Sequence, residues 1–119
     1  SDVLALESDP LPTRVLVAGT PQLTLRVDSE PGESVVLVTL VEVGASGVAW
    51  NVSDGIGRVD PSTGLVSVEL GPAAHEFSDG SCIGVDIAFS AEARIAPARP
   101  GRRAIDMSVG SLRLPLIDQ

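Results

Sequence analysis

The sequence predicts an all-β fold, a sandwich or jelly roll of about nine short strands with at most one helical turn. Three observations point there. Apolar and polar residues alternate with a period of two in several segments, as in Leu23, Leu25 and Val27 against Thr24, Arg26 and Asp28. The apolar runs are rich in valine, which loses rotamer freedom in a helix and packs well on a pleated surface. Clusters of Gly, Pro, Asp and Ser punctuate the chain at short intervals and leave no room for a sustained helix.

The organising element is the strand over residues 34–43. Its apolar residues occupy both faces, Val36, Val38 and Leu40 on one and Val35, Leu37, Val41 and Val43 on the other. Such a strand is expected to be covered twice: by the second sheet of the sandwich, and by a loop of this chain or another domain. Before it, residues 2–7 read as a short extended segment. Asp9-Pro10-Leu11-Pro12 excludes helix, because proline lacks a donor and holds its predecessor extended. Residues 14–18 form a strand turned by Gly19-Thr20-Pro21, residues 22–28 the alternating strand, and residues 29–33 a polar turn.

After a turn at 44–47, residues 48–53 form a strand carrying the only tryptophan, Trp50. Asp54-Gly55 reads as a tight turn before the strand 56–59. Asp60-Pro61-Ser62-Thr63-Gly64 has hairpin-loop chemistry, with Gly64 at the left-handed position. Residues 65–70 put Val66, Val68 and Leu70 on one face. Residues 71–77 are the place for one helical turn, Pro72 at its first position. Residues 81–90 are a second strong strand, with Ile83, Val85, Ile87 and Phe89 inward and Cys82, Gly84, Asp86 and Ala88 on the other side. An irregular stretch over 91–103 precedes two closing strands, 104–108 and 111–117.

At 119 residues the chain is expected to be a single domain over 1–119, burying roughly two-thirds of its unfolded surface. Aromatic residues make up only 3% of it against 44% hydrophobic overall, so the core must be aliphatic. A net charge of -8 opposes binding to nucleic acid or an anionic membrane, both of which need a positive field. No apolar run reaches the roughly 20 residues of a membrane helix, and no charged-then-apolar leader is present. With Cys82 alone there is no intrachain disulfide, and a cytoplasmic location is expected. Every basic residue is arginine, which with abundant Ala, Val and Gly suits a GC-rich bacterial gene. The only methionine is Met107, and the opening Ser1-Asp2 reads as a piece excised from a longer protein.

A search for chemistry returns little. Nucleophilic hydrolysis needs a base beside the nucleophile, and the one histidine, His75, reads as a turn residue whose ring bonds locally. No serine stands in a Gly-x-Ser-x-Gly elbow, and no His, Cys or acidic residues stand at metal-ligand spacing. Neither metal nor cofactor is implied. Cys82 reads as a small hydrophobe in a strand, Asp54, Asp60 and Asp79 as turn formers, and Asn51-Val52-Ser53 as an accidental sequon. Arg94, Arg99, Arg102 and Arg103 crowd one segment of an acidic chain. They are either a solvated loop or a patch that docks carboxylates of a neighbouring domain. Trp50 is either core or rim, or a platform for weak sugar stacking.

Taken in order, the motifs resemble the C-terminal β-domain of the X-Pro dipeptidyl-peptidase and cocaine-esterase family of serine hydrolases. They are Asp2-Val3-Leu4 with Pro10-Leu11, then Val17-Ala18-Gly19-Thr20-Pro21 with Leu23, Leu25 and Val27. Leu37 to Val43 with Gly47, Val52-Ser53-Asp54-Gly55-Ile56 and Pro72-Ala73-Ala74-His75-Glu76-Phe77 follow, and Leu112-Arg113-Leu114-Pro115 closes the set. The pattern departs after Gly80, where the family shows His-Arg and this chain has Ser81-Cys82. The resemblance implies a jelly roll of the galactose-binding-like type packed on an α/β-hydrolase domain that carries the Ser-Asp-His triad. No catalytic residue can be carried over to these positions.

The reading that follows is a non-catalytic accessory domain, the C-terminal portion of a larger serine hydrolase of the X-Pro dipeptidyl-peptidase or acyl esterase type. It would brace the α/β-hydrolase domain of the same chain and help wall the substrate pocket. The alternative is an independent carbohydrate- or ligand-binding module using Trp50 or a concave sheet face. A third reading is self-association through a face meant for a missing domain.

Overall fold

In the computed structural model, residues 3–28, 35–60, 62–89 and 104–117 are described. They carry β1 (Val3–Glu7), β2 (Val15–Gly19), β3 (Gln22–Asp28), β4 (Val35–Val43), β5 (Ala49–Arg58), β6 (Leu65–Glu69), β7 (Ala73–Phe77), β8 (Cys82–Phe89) and β9 (Ala104–Arg113). Among the described residues there is no helix. The fold is the expected all-β sandwich.

One layer is an antiparallel sheet in the order β1-β8-β4-β5. The valine-rich β4 lies inside it, with Leu40 opposite Val85 on β8 and Ser53 on β5. The other layer consists of β6-β3-β9 and the pair β2-β7. Three chain segments run through both of its parts: β2 into β3, β6 into β7, and β9 into a tail whose Leu116 bridges Val17. Each segment has a proline at the junction: Pro21, Pro72 and Pro115. Proline has no N–H for a ladder, so the sheet is interrupted along this line. Proline carbonyls still accept, from Leu70 N–H onto Pro21 and from Ala18 N–H onto Pro115, both at 2.9 Å.

The core lies between the layers and is almost wholly aliphatic. Val36, Val38, Leu40, Val85 and Ile87 of the four-stranded sheet meet Leu23, Leu25, Val66 and Val68 of the three-stranded one. Val17 and Phe77 close it from the β2-β7 pair. The inward positions expected for β3, β4, β6 and β8 hold where their side chains are described, with Ile83 half-buried and the Val27 and Phe89 side chains outside the described set.

Several local expectations are corrected. The segment expected to make a helical turn is β7, paired with β2 from Val15↔Phe77 to Gly19↔Ala73. Proline at the start of a helix and proline at a break between strands look alike in sequence. Asp54-Gly55 is not a turn but the middle of β5, opposite Thr39 and Val38. There Gly55 and Gly57 serve close approach. A β-carbon on Gly55 would sit 2.5 Å from the Glu69 carbonyl oxygen, and one on Gly57 2.6 Å from a Val68 methyl. The 60–64 loop has the expected turn, closed by Asp60 N–H to Leu65 O at 2.9 Å with Gly64 at φ 76°. It joins β5 to β6, however, and so crosses between layers instead of making a hairpin. The two closing strands are one, β9, whose register against β3 shifts between Thr24 and Arg26.

Candidate functional site

Counting by twos along β4 from Val36 through Val38 and Leu40 brings Glu42 to the inner face. It is buried there, 6% exposed. A carboxylate in that position needs compensation, and β7 supplies it. His75 Nε2 lies 2.7 Å from Glu42 Oε1. The Ser78 N–H donates to Glu42 Oε2 at 2.8 Å. The Ser81 hydroxyl donates to the Ser78 carbonyl at 2.6 Å, close beside the carboxylate. Burial pushes the Glu42 carboxyl up. The Ser78 N–H, the His75 ring and the Ser81 hydroxyl together outweigh it and hold the group below its ordinary value.

His75 alternates with Ala74 and Glu76 so that it points inward beside Phe77, ring against ring edge-on at 4.7 Å. The expectation of a turn histidine with a local partner is therefore corrected. It is a strand residue bonded to an acid 33 positions away in the chain. An acid and a histidine are two parts of a hydrolytic triad, and among the described residues no third part joins them. Among the described residues, neither nearby serine gives its hydroxyl to the imidazole: Ser78 approaches Glu42 through its backbone, and the Ser81 hydroxyl donates to the Ser78 carbonyl. With no nucleophile bonded to the base among the described residues, the pair holds β4 to β7 as a clasp.

The other candidates fall around it. A bulge at Val52 breaks the β4-β5 register between Leu40↔Ser53 and Val41↔Asn51, which turns Trp50 onto the same row as Glu42. Trp50 is 52% exposed. Its ring lies over Gly44, where a β-carbon would be 3.0 Å from it. It is a rim residue packed on the β4-β5 turn. Cys82 is a half-buried free thiol on β8. Arg94, Arg99, Arg102 and Arg103 lie outside the described residues. Among the described residues, no three His, Cys, Asp or Glu side chains gather into a group that could hold a metal. Glu42 was not singled out from the sequence, although its parity on β4 is legible there.

Solved structures share this fold, three of them as follows. An α-amino acid ester hydrolase superimposes with a TM-score of 0.78 at 21% identity, over 98% of this chain and 26% of its own. A CocE/NonD family hydrolase from Staphylococcus aureus gives 0.68 at 13% identity, over 98% and 33%. An aminopeptidase from a marine sediment archaeon, Thaumarchaeota archaeon, gives 0.67 at 22% identity, over 75% and 18%. At such identities the likeness shows the fold alone. This chain spans a third or less of the length of each. No curated protein sequence matches it. One family does, over residues 1–107, from before β1 into β9: the X-Pro dipeptidyl-peptidase C-terminal non-catalytic domain. A match that runs through eight strands and into the ninth identifies the chain as a member of that family.

Proposed function

We propose that this chain is the non-catalytic C-terminal domain of a serine hydrolase that acts on ester or X-Pro peptide bonds. In that reading it braces the α/β-hydrolase portion of the same protein and helps wall the substrate pocket. The observation that carries the reading is the incomplete constellation at the end of β4. Glu42 and His75 are joined, among the described residues no serine hydroxyl is bonded to the ring, and both are held inside a domain of a non-catalytic family. The named activities of the solved neighbours, ester hydrolase and aminopeptidase, supply the two bond classes.

The test is to assay the purified chain against p-nitrophenyl esters and X-Pro anilides. No turnover is expected. Turnover abolished by His75→Ala would place catalysis in this domain and end the proposal. Removing the domain from the full-length hydrolase is expected to lower both its thermal midpoint and its kcat/KM.

A further inference from the structure

The two layers present different outer faces. Among the described side chains of the three-stranded sheet, Thr24, Arg26, Ser67, Glu69, Ser111 and Arg113 are polar and exposed on the outer face, with Leu65 an apolar exception. That is what a sheet with one solvated face should show. The outer face of the four-stranded sheet does not follow this rule. β4 places Leu37, Val41 and Val43 there, and its pairing sets Ile56 beside Leu37 and Ala49 beside Val43. Val41 is only 3% exposed yet belongs to no part of the inner core, while Ile56 is 65% exposed. Across the middle, Asp86, Thr39 and Asp54 form one row over three strands. Their register separates the two carboxylates by two strand spacings, roughly 9–10 Å.

We propose that this outer face is where the catalytic portion of the same hydrolase seats. Its apolar side chains would pack on Leu37, Val43 and Ile56, and a basic side chain would sit between Asp54 and Asp86. The proposal rests on the function proposed above. The occupant follows from length and charge. In the matched hydrolases this fold fills only 18% to 33% of the chain, so the rest is the large body available to cover it. The acidic row, in a chain of net charge -8, calls for a cationic partner surface. Cys82, opposite Val43 on the same face, is a native reporter of that cover.

The test uses the full-length hydrolase with Ile56→Asp or Ala49→Arg, both at positions exposed in the domain, and Ser67→Asp on the opposite face as control. Docking predicts a Cys82 thiol that reacts slowly with a disulfide reagent in the wild type and about tenfold faster in the two outer-face variants. It also predicts a lower thermal midpoint for hydrolysis in those variants and no change in the control. Equal Cys82 reactivity in all four proteins with hydrolysis intact overturns the docking face and leaves the function standing. A full-length wild type that hydrolyses neither substrate class overturns the function and the named occupant together. A dimer dispersed by Ile56→Asp assigns the face to a second copy and overturns the proposal.

Discussion

A carboxylate on the inner face of a sandwich has lost much of its hydration, and Glu42 recovers it through bonds from Ser78 and His75. Removing the acid leaves the His75 ring and the Ser78 N–H short of a partner. Glu42→Ala is therefore expected to cost about 1.5–3 kcal/mol in urea unfolding at neutral pH. The acid's folded value lies below its ordinary one, which sets the sign of the pH dependence. Its contribution is complete above the ordinary carboxylate range and is lost as pH falls through the lowered folded value. Denaturation midpoints between neutral and acid pH should thus fall more steeply in the wild type than in Glu42→Gln. A parallel fall in both would show that Glu42 contributes nothing to the acid limb.

Strand β5 shows how an element can be shaped by what lies across the core. Its glycines face Val66 and Val68 of β6, and the Glu69 carbonyl oxygen stands where a Gly55 side chain would begin. Gly55→Ala is expected to destabilise by about 1–3 kcal/mol, the range for overpacking. Gly71→Ala is the internal comparison, because a β-carbon there meets Ser53 Oγ at an ordinary 3.5 Å. It should cost less than half as much in the same denaturation experiment. The line of Pro21, Pro72 and Pro115 acts at the same scale. It ends the β3-β6 ladder and starts the β2-β7 pair, and β7 is what carries His75 to Glu42.

In the whole molecule, one aliphatic core joins both layers, so the described strands should unfold together. Fluorescence of Trp50, the single tryptophan, and far-UV circular dichroism should give coincident transitions. Two separate midpoints would mean that the β2-β7 pair melts on its own. Phe77 is wholly buried where β7 meets the core, and Phe77→Ala is expected to cost about 3–5 kcal/mol. Trp50→Ala, at a half-exposed rim position, should cost far less. A reproducible glycan-array signal lost in Trp50→Ala would instead favour the carbohydrate-binding alternative.

Period-two alternation is a property of neighbouring residues, and so the sequence alone determined the all-β class, the strands β3, β4, β6 and β8 with their described inner faces, and the motif order that marks the family. It went astray where one local signal serves two structures: Asp54-Gly55 as turn or as close approach, Pro72 as helix start or as ladder break. Only the tertiary structure decided that Glu42 meets His75, that the 60–64 loop crosses between layers, and that the outer side of β4 has Ile56 standing open beside it. These depend on which segments far apart in the chain are brought to one place by burying the core. A pattern read two residues at a time carries no record of that distance.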